Sequence, residues 1–181
     1  MIKNKKINFI IELLMLRIKK CMLFFRCKSE NTENELSKIP NDIKWKDTIP
    51  FVAPIKQGRC IKVYDGDTIT IAAKLPYKHS PIYRFSVRLN GIDTPEIKGK
   101  DEDEKRCAEL ARDALKETIL NKTVRLENVQ TEKYGRILAD VICDDINMND
   151  WMVTQRFAVK YDGGTKLSPD SWMEYHTMDR K

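Results

Sequence analysis

The chain has 181 residues and a mass of 21.2 kDa, room for one domain and an appendage. Its formal charge of +6 comes from the first 30 residues, which hold eight Lys or Arg against two Glu; the rest carries 25 of each sign. The excess therefore belongs to the N-terminal segment and not to the body of the protein, where any grip on a phosphate must come from a few placed arginines and a cation. Five scattered cysteines with no CxxC pair signal neither a disulfide framework nor a zinc site, and two histidines are too few for multi-histidine chemistry.

Residues 1–28 form the first unit. An apolar run from Ile7 to Leu16 precedes Arg17, Lys19 and Lys20, then apolar residues return from Cys21 to Phe25. Lys5, Glu12, Lys19 and Arg26 recur every seven residues, a narrow polar stripe on a helix. The apolar runs fall short of the roughly 20 residues that a bilayer core requires, and no small-residue cleavage site follows. The pattern fits a basic amphipathic helix on a membrane surface; a helix packed on its own domain, or an extension with initiation at Met22, are the alternatives. Residues 29–54 read as a linker, polar from Ser29 to Glu35 and punctuated by Pro40, Pro50 and Pro54. The folded domain is expected over 55–181.

There the pattern becomes that of strands. Residues 60–64 and 68–72 alternate about an Asp65-Gly66 turn; 83–89, 123–129 and 137–142 supply three more. Cys107, Leu110, Ala111, Ala114, Leu115 and Thr118 recur at helical spacing behind acidic Asp101 to Glu104, which suits a helix start. A second helix is predicted over Ile146–Phe157, and a third, of unsettled length, after Ser168-Pro169. Cys60, Cys107 and Cys143 sit in apolar stretches and are expected to be reduced and buried. The fold class is α+β, mainly β: a five-stranded OB-type barrel with two or three helices packed against it.

Four segments carry the chemistry. Alternation puts Asp65 and Asp67 on one side of the ribbon, where two carboxylates suit a hard cation. In Asp93-Thr94-Pro95-Glu96, Pro95 holds Thr94 extended, so its carbonyl can stand beside the Asp93 carboxylate while Glu96 projects outward. Arg88 lies five residues before Asp93, and Arg136 follows the Tyr134-Gly135 turn. Two guanidiniums can grip a phosphate bidentately and stabilise charge that develops on it. Singly, each segment is an ordinary turn or a solvated cation; together and in order they point to phosphodiester chemistry.

Asp-Gly-Asp-Thr at 65–68, Arg88-Leu89 ahead of Asp93-Thr94-Pro95-Glu96, and Lys133-Tyr134-Gly135-Arg136 resemble the hallmarks of the staphylococcal-nuclease family, over roughly Arg59 to Tyr161. The resemblance implies a Ca²⁺-dependent endonuclease acting on DNA and/or RNA with low sequence specificity. It implies Asp67, Asp93 and Thr94 as metal ligands, with Asp65 behind them. Arg88 and Arg136 then hold the phosphate, Glu96 handles the attacking water, and Lys133, Tyr134 and Tyr161 contact substrate. The short acidic stretch from Ile97 to Lys105 and the Ala158–Gly164 stretch, which lacks the usual tyrosine pair, depart from the pattern. A catalytically inactive OB domain that binds nucleic acid or a protein is the competing reading. Such domains lose a carboxylate or an arginine, and this chain keeps all of them. A membrane-attached structural protein is a weaker alternative, because it leaves the acidic and cationic set unexplained. The expected state is a monomer.

Overall fold

The computed structural model describes residues 38–132, 134–166 and 168–178. The chain divides into two compact units, Met1–Ile49 and Pro50–Lys181. In the first, the described residues hold one turn of 3-10 helix, Trp45–Asp47, with the Asp47 carboxylate accepting from the Lys44 amide at 3.0 Å and no residue buried. The segment 1–28 and its expected membrane surface lie outside the described residues. Among those that are described, no helix is long and apolar enough to cross a membrane.

In the second unit the strands are β1 (Gln57–Val63), β2 (Thr68–Lys74), β3 (Ile82–Leu89), β4 (Ile92–Asp93), β5 (Thr123–Thr131), β6 (Ile137–Cys143), β7 (Ile146–Asn147) and β8 (Val159–Lys160). The helices are α1 (Glu102–Ile119), α2 (Met148–Thr154) and α3 (Trp172–Thr177). The sheet runs β3-β2-β1-β5-β6-β7, and a parallel β3–β6 pairing closes it into a barrel of five strands, β1, β2, β3, β5 and β6. This is the mainly β, OB-type architecture that the strand pattern predicts. Register shifts in β1 after Cys60 and in β5 after Glu127 bend the two strands as closure requires. β4 and β8 pair separately at one mouth.

Alternation explains the core. Ile69 and Ile71 of β2, Val87 and Leu89 of β3, Val124 of β5 and Val141 of β6 are wholly buried. Leu115 and Ile119 from α1 and Met148 and Met152 from α2 join the same cluster. Each such side chain contributes about 1.5–3 kcal/mol on burial. Cys60, Cys107 and Cys143 are free thiols inside, and burial pushes Cys60 up to about 11.

Two helix boundaries differ from the sequence pattern. Ile146 and Asn147 pair with Cys143 and Ile142 as β7, so α2 begins only at Met148. The Asn147 side chain accepts from the amides of Asn149 and Asp150, and Arg156, at φ 59°, prevents the helix from reaching Phe157. The cap of α3 is Ser171, whose hydroxyl accepts from the Glu174 amide, rather than the Ser168-Pro169 pair. For α1, Asp101 caps as the acidic start suggests, accepting from the Glu104 amide at 2.7 Å.

One buried polar side chain ties the mouth together. Asn149, at the start of α2, accepts from the Val141 amide at 3.0 Å and donates to the carbonyls of Asn90 (2.7 Å) and Ala139 (3.3 Å). It thereby fastens α2 to β6 and to the turn after β3, which carries the Arg88 and Asp93 ends toward each other.

Candidate active site

The β1–β2 turn brings Asp65 and Asp67 to the mouth. The Asp67 amide donates to Asp65 Oδ1 at 3.2 Å, and the Thr68 hydroxyl donates to Asp67 Oδ1 at 2.8 Å. Gly66 matters here for space, since its φ is not positive. A Cβ there would lie 3.0 Å from Ala111 Cβ of α1 and 3.0 Å from Thr94 Cγ2. Without a side chain, the turn seats directly against the Asp93–Thr94 segment.

The β2–β3 register sets Arg88 opposite Thr68, next to Asp67. Arg88 Nη1 meets Asp67 Oδ2 at 2.5 Å, and Nη2 meets Asp93 Oδ1 and the Ile92 carbonyl, both at 3.4 Å. Asp67 and Asp93 are each 3% exposed, and Thr94 is buried beside them. Burial, reinforced by the Asp65 carboxylate, pushes Asp67 up to about 7, against the pull of Arg88 and Thr68. A buried carboxylate crowded by another is costly while ionised, and a further cation offsets that cost. The donor set is hard oxygen: two buried carboxylates and the neighbouring Thr94 backbone, with no soft ligand among them. Among the described residues, no three Asp, Glu, His or Cys side chains form a ready-made cage. A hard ion that completes its shell with carbonyl and water oxygens fits this set.

Closure of β3 on β6 delivers the second arginine. Ile137 lies beside Val87, so Arg136 emerges next to β3. Glu132 grips it through Nε (2.6 Å) and Nη2 (2.9 Å), and the Glu132 and Arg136 backbones close the Tyr134-Gly135 turn, with Gly135 at φ 80°. The Glu132 hydrogen bonds hold the Arg136 guanidinium above its ordinary pKa and fix its plane.

Glu96 is largely exposed, and α1 holds its loop. Its amide donates to Glu104 Oε1 at 3.4 Å, the Lys100 amide donates to Glu104 Oε2 at 2.9 Å, and Gly99 leaves room for that carboxylate to fold over it. The acidic start of α1 therefore caps the helix through Asp101 and anchors the loop that bears Glu96 through Glu104.

Asp65, Asp67, Arg88, Thr94, Glu96, Tyr134, Arg136 and Tyr161 line one open cavity of about 290 Å³. Asp93 borders it through its contact with Arg88 and lines an adjoining cavity of about 600 Å³ with Thr94 and Glu96. Lys133 lies outside the described residues. Two residues of the site escape the sequence reading. Glu132 has a usable signal, four residues ahead of Arg136. Lys166 has none: a single Lys in a polar loop, its ammonium lies 2.9 Å from both Asp93 Oδ1 and Glu96 Oε1. Burial works to lower the Lys166 pKa, but hydrogen bonds to Glu96 and Asp93 outweigh it and raise the value.

Fold and mouth together define a small OB-type barrel protein built around a mixed-charge cleft suited to an anion and a hard cation. The staphylococcal nuclease homologue family matches residues 86–177, just over half of the chain, and the chain belongs to that family. The match begins within β3, so Asp65 and Asp67 lie upstream of it. An uncharacterized endonuclease of Escherichia coli is 34% identical over 114 residues, which cover 62% of this chain and 66% of that protein. Its counterpart in Escherichia coli O157:H7 is 33% identical over the same length. An uncharacterized protein of Bacillus anthracis is 29% identical over 106 residues, 46% of its length. The chain thus spans just under two thirds of the first two relatives.

Proposed function

We propose that this protein is a Ca²⁺-dependent nuclease that hydrolyses phosphodiester bonds in DNA and/or RNA with low sequence specificity. The observation that carries the reading is the convergence of Asp67, Arg88, Glu96 and Arg136, from four separate segments, on one open cavity. Family membership and the endonuclease names of the two Escherichia coli relatives support it.

Asp67, Asp93 and the Thr94 carbonyl would hold the ion, with Asp65 steadying the Asp67 backbone. A bound Ca²⁺ supplies a Lewis acid for a phosphoryl oxygen and a template for water. Arg88 and Arg136 bind the non-bridging oxygens and stabilise the charge that grows on them as a fifth oxygen attacks. Glu96 accepts a proton from that water. Its carboxylate is exposed, on a loop anchored through its own backbone, and can reach a water once its hydrogen bond to Lys166 gives way. Tyr134 and Tyr161 stand on the rim where a nucleotide passes, and Lys133 is assigned to substrate phosphate.

Cleavage of single- and double-stranded DNA and of RNA, with Ca²⁺, Mg²⁺ or a chelator, tests the reading. Cleavage with Ca²⁺, abolished by chelator and by Asp67→Ala, is expected. Glu96→Gln is expected to fold normally and lose about 10²–10⁴ in rate. A folded Glu96→Gln protein with wild-type turnover rules out the role given to Glu96. A folded wild-type protein inactive on every substrate and metal points to a binding domain instead.

A further inference from the structure

Arg88 and Lys166 both stand against the acidic mouth, but they are held differently. Arg88 projects from a barrel strand, is 15% exposed, and also binds the Ile92 carbonyl. Lys166 comes from the strap that leaves β8 and is 46% exposed. The strap is braced within itself: Tyr161 Oη donates to the Gly164 carbonyl at 3.0 Å, the Gly164 amide donates to Asp162 Oδ1 at 2.9 Å, and Gly163 sits at φ 91°. Its Tyr161 amide is pinned to the Gly91 carbonyl at 2.9 Å. From this braced base a flexible four-carbon stem carries a single ammonium to Asp93 and Glu96.

We infer that Lys166 is a built-in counter-cation, occupying in the metal-free protein the Asp93 oxygen that a divalent ion needs and so weakening metal affinity. The inference rests on the metal assignment under Proposed function. An ion and the ammonium contend for the same Asp93 Oδ1, and two cations on one buried carboxylate oxygen repel each other. The ammonium is the one that can leave, because its stem is mobile and half in solvent whereas Arg88 is fixed by its strand. Metal entry thus costs the two ion pairs Lys166–Asp93 and Lys166–Glu96, and the second releases Glu96 for its work on water. Lys166 touches the ion ligands and not the reacting atoms; its effect is on affinity and on the freedom of Glu96.

Calorimetric titration of Ca²⁺ into the full chain, without substrate, tests this. Lys166→Met is expected to bind Ca²⁺ about three- to tenfold more tightly than wild type, the range that loss of a partly exposed ion pair allows. Lys160→Met, which removes an exposed charge of the same strap region from β8, is expected to leave the affinity within about twofold. Lys166→Gln repeats the test with a polar side chain, and thermal melts matching wild type establish that each variant is folded. Equal or weaker binding by Lys166→Met, or equal tightening in Lys160→Met, overturns the inference and leaves the nuclease reading standing. Absence of Ca²⁺ binding in all variants overturns it together with the metal assignment.

Discussion

Asp67 is costly where it stands. It is almost fully buried, faces Asp65, and has Arg88 as its compensating charge. At pH 8 it is ionised in both the folded and the unfolded chain, so the folded state bears the whole desolvation penalty. Asp67→Asn keeps the shape and removes the charge, while Arg88 retains Asp93 and the Ile92 carbonyl. The metal-free variant is therefore expected to be more stable than wild type at pH 8 by about 1–2 kcal/mol, and to lose Ca²⁺ binding. The folded pKa, about 7, lies above the unfolded one, so wild type gains stability as pH falls through 7 and the advantage of the variant shrinks. Thermal melts of both proteins in chelator at pH 8 and pH 5 decide it; a lower melting temperature for Asp67→Asn at pH 8 contradicts the account. At this scale the sequence was informative wherever residue type alone implies chemistry. Acid pairs and arginines in a fixed order single themselves out, and the structure gathers them. Lys166 does not, because its contacts span 70 residues to Glu96 and nothing local announces them.

The five barrel strands and α1 are legible at the scale of elements because each has a long apolar period. The short elements are not. Two residues of β7 cannot display alternation, and their strand character comes only from pairing with β6. The helical pattern simply continues backward over them. The Asn149 clamp is equally hidden, since an Asn near a helix start reads as a surface or cap residue. In the fold it is buried and satisfies Val141, Asn90 and Ala139. Asn149→Ala leaves those backbone groups without their partner inside the protein. It is expected to lower unfolding free energy by about 2–4 kcal/mol in urea titrations, against well under 1 kcal/mol for a surface Asn. A loss below about 0.5 kcal/mol shows that water replaces the side chain and that apolar packing of Met148, Met152, Trp151 and Val153 suffices to hold α2.

For the molecule as a whole, charge and boundary follow different logic. The acid–base balance beyond residue 30 explains why the site relies on a few paired side chains, each neutralised locally: Arg88 by Asp67 and Asp93, Arg136 by Glu132, Lys166 by Asp93 and Glu96. For the domain edge we propose docking of the stretch ahead of Ile55, which composition does not register. Pro50 and Pro54 lack the N–H that a strand ladder requires, so the stretch ahead of Ile55 reads as linker. Yet the Phe51 carbonyl accepts from the Thr131 hydroxyl at 2.8 Å, Ala53 packs on the core, and the Ile55 amide donates to the Ala53 carbonyl at 2.8 Å, guiding buried Ile55 into place. A protein starting at residue 50 is therefore expected to be more stable than one starting at residue 55, by about 1–2 kcal/mol for one hydrogen bond and a partly buried methyl group. The two fragments, compared by urea midpoint at equal slope, separate the possibilities. A higher midpoint for 50–181 makes the proline segment part of the domain. Coincident midpoints make it the linker that its composition suggests, and the fold then begins at Ile55.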